Sequence, residues 1–259
     1  MDKRALRGVA KVVAAQDVME GAGVLVRRAI PQPAVDLAEV DPFLLLDFAE
    51  IPAEGPSFPA HPHRGFEIVT YALEGSGTHQ DDFGNNAEVE AGGLMRLTAG
   101  RGITHSEGQG SRTPARGLKA LQMWINLPLA LKKTAPEFQA LRPDKVPEGK
   151  GEGHTIRFLA GEGSPVPLRT PALYRHLILQ PGARVEQDVP SGHQGFVLVL
   201  EGQGAFGTPA RGLKPLDFGV LESEGALVVE NTGSGRLQCV LGAGKPLRQP
   251  VRWYGPFVD

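Results

Sequence analysis

Two short stretches carry residue types that bind transition metals. His61-Pro62-His63 and His105-Ser106-Glu107 each place two ligand-type side chains at i, i+2. Alternate residues of a strand share a face, so each pair projects one way. Pro62 donates no ladder hydrogen bond, which puts its segment at a strand start or a sheet edge. Thr98-Ala99-Gly100-Arg101-Gly102-Ile103 has the glycines for a tight turn that delivers the second pair. On neighbouring strands the two pairs would close on one ion from opposite sides, as three neutral imidazoles and one carboxylate. That set suits Fe(II), Mn, Co, Ni, Cu or Zn. If the ion is six-coordinate, four protein ligands leave positions open for water, O2 or substrate. A divalent ion beside one carboxylate keeps a local charge of about +1, which favours an anionic oxygen such as a phenolate or enolate.

Glu67 competes with Glu107 for the carboxylate role. It has the parity of His61 and His63 if the strand runs on unbroken. Its other expected role is to hydrogen-bond a ligand imidazole and fix its tautomer. His79 comes after a Gly-x-Gly turn and is expected in a loop or hairpin. His154 and His176 have no partner at ligand spacing and are expected to be ordinary residues. No phosphate-binding GxxxxGK[ST] loop and no GxSxG elbow is present. Gly92-Gly93 and Gly100-Arg101-Gly102 read as turns, since no βαβ unit surrounds them.

These residues must be positioned by strands. Short apolar or alternating runs lie between turn signals at residues 23–28, 66–73, 94–98, 120–127, 174–179, 196–200, 226–230 and 236–241. The spacing predicts an all-β sandwich or barrel. The best helical candidate is short, at residues 135–140. The 34 glycines and 22 prolines are spread along the chain, as many turns require. Residues 128–153 carry four prolines, and glycines gather near their end. This stretch reads as a connector. It gives an expected division into an N-terminal metal-binding domain at 1–130, a linker at 131–153 and a C-terminal domain at 154–259.

A repeat crosses that connector. His63-Arg64-Gly65-Phe66, an apolar strand and Glu74-Gly75-Ser76-Gly77 are echoed by His193-Gln194-Gly195-Phe196, an apolar strand and Glu201-Gly202-Gln203-Gly204. Two copies of one β-domain are expected. In the second copy Ser191 stands where His61 would be and Val197 where Glu67 would be. No His-x-Glu occurs later in that half, so one ion is expected, not two. A second echo, TPARGLK at residues 113–119 and 208–214, has a different offset and cannot come from the same duplication.

Bulk properties exclude several function classes. The net charge of −2 and the absence of a long basic run argue against direct nucleic-acid binding. No apolar stretch approaches the length of a membrane span. The start of the chain has no signal-peptide h-region. Cys239 is the one cysteine, which rules out an internal disulfide framework and a CxxC site. A cytoplasmic protein is expected.

The segments HPHRGFEIVTYALEG, LTAGRGITHSE and LQMWINLP strongly resemble the pirin family. Asp41-Pro42-Phe43-Leu44-Leu45-Leu46-Asp47 and Gly255-Pro256-Phe257-Val258 extend the likeness, which runs from about residue 23 to the end. The resemblance implies a bicupin, two β-barrel (double-stranded β-helix) domains with a degenerate, metal-free second cupin. It implies one metal, most often iron, on His61, His63, His105 and Glu107. It also implies a flavonol ring-opening dioxygenase, like quercetin 2,3-dioxygenase, acting on a small aromatic substrate with O2. The alternative it carries is a non-catalytic iron or redox-sensing module that binds protein partners. A different metal-assisted small-molecule enzyme, such as a cupin isomerase, remains a third reading. Family members usually continue past this point with a helical tail; the sequence here stops at Asp259, and exposed surface or altered domain docking is the expectation.

Overall fold

The computed structural model describes residues 5–52, 54–55, 57–109 and 117–259. The alternating runs form strands, and the glycine-rich breaks form the turns between them. Two seven-stranded sheets result. In the first, the order is Glu137–Leu141, Leu94–Thr98, Phe66–Glu74, Leu118–Asn126, Phe43–Ile51, Val24–Ile30, Gln16–Glu20. In the second it is Val9–Ala14, Asp217–Leu221, Gln194–Glu201, Leu237–Gly244, Ala172–Leu179, His154–Gly161, Glu148–Gly151. Position by position the two orders match. A smaller sheet goes with each. Phe58–His63, Ile103–Gln109, Ser76–Asp81 and Asn86–Glu90 go with the first. Arg184–Gln187, Ala226–Asn231, Gly204–Phe206 and Arg211–Leu213 go with the second. The expected duplication is thus an architectural one, with Phe66 and Phe196 in corresponding strands.

Period-2 alternation sorts the side chains of each large sheet onto two faces. From the first sheet, Leu46, Val69, Tyr71, Leu121 and Met123 join Tyr174, Phe196, Leu198, Phe218 and Val240 of the second in one buried cluster. Phe43 meets Phe196 edge-on across this seam, with ring centroids 5.0 Å apart. The opposite faces line the barrels. In the second barrel Leu177, Val197, Val199, Phe206, Leu227 and Val229 form one continuous apolar filling. The first barrel divides its apolar side chains into two groups. Leu44, Phe66, Ile68, Leu97 and Trp124 lie at one end; Val24, Val26, Ala49, Ala72 and Leu118 lie at the other.

Three expectations change. The stretch expected to be helical at 135–140 is the outer strand Glu137–Leu141, paired with Leu94–Thr98. A single turn of pattern is too short to outweigh a sheet edge that needs a partner. The connector is not a plain linker: Glu137–Leu141 completes the first large sheet and Glu148–Gly151 edges the second. Residues 1–130 do not all serve the first barrel. Leu6–Arg7 pairs with Ala226–Asn231 and Val9–Ala14 pairs with Asp217–Leu221, in the second. As for the TPARGLK echo, residues 113–116 lie outside the described residues. The first heptapeptide ends inside the strand Leu118–Asn126, which corresponds to Leu237–Gly244, not to Arg211–Leu213. The described end of the first heptapeptide and the second heptapeptide therefore sit at unrelated places in the two barrels.

Candidate metal centre

Strands Phe58–His63 and Ile103–Gln109 are antiparallel neighbours, with His105 opposite His61 and Ile103 opposite His63. The turn feeding the second strand uses Gly100 at φ +49° and Gly102 at φ +136°, and the Gly102 amide donates to Ala99 O at 2.9 Å. Gly65, at φ +90°, turns the chain just after His63, where a Cβ would lie 1.7 Å from Val258 O. The result is a cluster of ligand atoms from His61, His63 and His105, all within 4.8 Å of one another.

The free nitrogens of these rings can be assigned. His61 Nδ1 donates to Pro59 O at 2.7 Å and His63 Nδ1 to Pro256 O at 3.3 Å. His105 Nδ1 lies 3.3 Å from His79 Nδ1. With Nδ1 engaged on each ring, Nε2 is left as the ligand atom. His105 Nε2 is buried and has no protein partner. An orphaned acceptor in a cluster of imidazoles is what a bound transition metal would satisfy. Burial, with the neighbouring imidazoles, pushes both His63 and His105 down to about 3. Their rings are therefore neutral at ordinary pH, as ligation requires. His63 is further seated against Trp124, whose ring is 5.0 Å away, and Trp124 stacks on Phe66 at 4.2 Å.

Glu107 lines the same cavity as His61 and His63. It stands outside the three-nitrogen cluster. Its Oε1 accepts from Thr70 Oγ1 at 3.1 Å and its Oε2 from Gln122 Nε2 at 2.7 Å. A bulge against Phe58–His63 falls between His105 and Glu107 and sets that position. Glu67 is corrected outright. The chain breaks strand between His63 and Phe66, so the parity does not carry through, and Glu67 faces the seam. There its Oε1 accepts from Thr98 Oγ1 at 2.8 Å and its Oε2 from the Arg169 amide at 2.8 Å, with Arg96 3.6 Å away. Glu67 binds the two halves together and takes no part in the centre.

His79 is the residue that sequence spacing failed to bring forward. It lies in the hairpin arm Ser76–Asp81, paired with Asn86–Glu90, 2% exposed and hydrogen-bonded through Nε2 to Asp81 Oδ2 at 3.0 Å. The overlooked signal is its own spacing: His79-Gln80-Asp81 repeats the i, i+2 pattern of the two ligand pairs. Burial works against the Asp81 carboxylate. Hydrogen bonds from His79, Asn85 and the Phe83 and Asn85 amides outweigh it, holding Asp81 below the usual carboxylate range. His154 stands apart, its Nδ1 on Glu152 O. His176 lies at the seam, with Nδ1 3.0 Å from Tyr71 Oη.

Around the centre a cavity of about 700 Å³ opens. Leu45, Phe58, Met95, Trp124 and Trp253 give it apolar walls, and Arg28, Asp47, Thr70 and Gln122 a polar band. The C-terminal segment supplies one wall. Trp253 stacks near Trp124 at 5.8 Å, and Lys132 Nζ anchors the segment by donating to Val258 O at 3.1 Å, Gly65 O at 2.9 Å and Asn126 Oδ1 at 2.7 Å. No helix among the described residues is long and apolar enough to cross a membrane.

Comparison with known proteins agrees with this architecture. The family profile Pirin matches residues 23–125, and the Pirin C-terminal cupin domain matches residues 174–259. A pirin-like protein of Solanum lycopersicum is 40% identical over 260 residues, covering 97% of this chain and 86% of that one. Pirin of Homo sapiens is 40% identical over 253 residues, covering 95% and 85%. The crystal structure of a quercetin 2,3-dioxygenase from Acinetobacter baumannii superposes with a TM-score of 0.88 at 28% identity, covering 98% and 92%. With both profiles matched and 40% identity over nearly its whole length, this bicupin chain belongs to the pirin family.

Proposed function

We propose that the protein is a metal-dependent dioxygenase that opens a flavonol ring with O2, in the manner of quercetin 2,3-dioxygenase. One observation carries the reading: ligand nitrogens of three imidazoles lie within 4.8 Å of one another beside an aromatic-walled cavity, and His105 Nε2 is orphaned. His61, His63 and His105 would hold one divalent ion, and Glu107 would complete the set by turning from Thr70 and Gln122. Fe(II) is favoured by the family likeness; Ni, Co, Mn, Cu and Zn share the same donor chemistry. When bound, the ion supplies a Lewis acid and a redox centre for O2 and a phenolate.

The chain's own residues do the rest. Trp124 and Trp253 line the cavity and give a flat polyphenol aromatic surface to lie against. The cavity volume falls within the roughly 300–1,000 Å³ usual for small-molecule sites. Glu107 lies at the cavity wall, and the carboxylate oxygen that it would not give to the ion can take the proton of a flavonol hydroxyl. The apolar walls exclude water from that exchange.

The test is aerobic incubation of purified, iron-loaded protein with quercetin, following quercetin absorbance and O2 uptake. Both should fall together, and neither should change without O2. Quercetin left intact by fully metal-loaded protein would overturn the substrate assignment.

A second reading is a redox-sensing module that binds protein partners. Its support is the contact from His63 Nδ1 to Pro256 O, which joins a ligand ring to the surface segment ending at Val258. Under it, Fe(II) and Fe(III) forms capture different partners; identical capture by both would count against it.

A further inference from the structure

The three ligand histidines are not equivalent. His61 and His63 lean on backbone carbonyls, a neutral and weakly polarising contact. His105 leans on a second imidazole, and that imidazole leans on a carboxylate. We propose that Asp81 and His79 form a relay that locks His105 in its Nδ1–H tautomer and strengthens its Nε2 as a metal donor. The proposal rests on the metal reading given above.

Hydrogen-bond bookkeeping fixes the direction of the relay. Asp81 Oδ1 accepts from the Phe83 and Asn85 amides, and Oδ2 from Asn85 Nδ2 at 2.8 Å as well as from His79. Asp81 is thus an acceptor throughout, and His79 Nε2 must carry a hydrogen. In neutral His79 the Nδ1 is then a lone pair, so His105 Nδ1 donates across the 3.3 Å contact. His105 Nε2 is left bare, and it is the atom that has no partner. The Nδ1–H form is the less stable tautomer of a free imidazole, so a standing acceptor is needed to hold it.

The relay is rigid. Its members face one another across the ladder between Ser76–Asp81 and Ile103–Gln109, where His105 pairs with Asp81 and Glu107 with His79. The His79 ring is pressed flat on Phe138, with centroids 4.2 Å apart and planes 12° apart. Polarising partners behind a ligand histidine typically change metal affinity by about 10–100-fold.

The experiment begins with imidazole nitrogen NMR of the metal-free protein, which needs no variant. His105 is expected with its proton on Nδ1 and His79 with its proton on Nε2; a His105 proton on Nε2 would overturn the relay. Chelator-competition titrations and visible spectra with Co(II) then compare wild type, His79→Leu, His79→Asn and Asp81→Asn. His79→Leu and Asp81→Asn should bind Co(II) about 10–100-fold more weakly with shifted d–d bands. His79→Asn, whose amide oxygen can accept from His105 Nδ1, should recover part of the loss. A purely space-filling His79 would make Asp81→Asn indistinguishable from wild type in both readouts, and that result would sink the proposal. His105→Ala separates the two levels. If it keeps Co(II), the metal reading itself fails. If it loses Co(II) while His79→Leu and Asp81→Asn bind like wild type, only the relay fails.

Discussion

The two barrels share one strand order but solve opposite problems in their interiors. The second is filled: Phe206, Leu227 and Val229 are all fully buried in a single apolar cluster. The first keeps a polar band between its two apolar ends, and there a cavity of about 700 Å³ opens. The contrast extends to the loops at the barrel mouth. In the first barrel, the strands from 58 and from 103 bring histidines together around one point. In the second, the matching loops are bridged by an arginine. Arg7, fully buried, donates to Val189 O and His193 O on one loop and to Glu222 O, Ser223 O and Gly225 O on the other. A guanidinium therefore does in one barrel the cross-linking that an ion would do in the other. The loop carbonyls of the second barrel need donors, and an arginine with five N–H groups can supply them.

The largest expected break in this comparison is at His105. His105→Ala should abolish metal binding, read by elemental analysis of the purified protein, while the fold persists. Next is packing. Phe206→Ala in the filled barrel should cost about 3–5 kcal/mol in urea unfolding. Ala120→Val, which points into the cavity, should cost less than about 1.5 kcal/mol, because space is already there. Equal costs would mean that the interiors do not differ as described. Arg7→Met should then destabilise by on the order of 3 kcal/mol, since several buried carbonyls lose a charged donor. It should leave metal content untouched; loss of metal in Arg7→Met would show that the barrels are not independent in this respect.

A further test is in pH. Burial holds His63, His105 and His176 at about 3 in the folded chain, against 6.5 for the free group. The unfolded chain then binds protons that the fold does not. Stability is full above about pH 6.5 and is lost as pH falls toward 3. Thermal midpoints of chelator-treated protein should decline across that window. His176→Asn, at the seam, should make the decline shallower; an unchanged slope would shift the whole effect to the first barrel.

Much of this was legible because the decisive patterns are local. The i, i+2 pairs point to the histidines that the fold brings together, and the His63/His193 echo points to the duplication. What failed depended on distant partners. The parity of Glu67 assumed an unbroken strand, which Gly65 interrupts to make room for Val258 O. The strand Glu137–Leu141 exists because a sheet edge at Leu94–Thr98 awaits it, and it places Phe138 on His79. Arg7 gave no signal at all, since its partners lie more than 180 positions away.

The pairing of residues 6–14 with the second barrel also sets an order of events during synthesis. The first large sheet gains its outer strand from the segment just after it, Glu137–Leu141. The matching place in the second sheet is taken by Val9–Ala14, made roughly 200 residues before its partner Asp217–Leu221. At about 5–20 residues per second the ribosome holds these two apart for on the order of tens of seconds. The histidine-bearing barrel can therefore close while its twin is still a growing chain with one edge bare. Trp253 and its neighbours emerge only after the strands of both large sheets. The site's floor is laid early, and its outer wall is set in place only after both large sheets have been made.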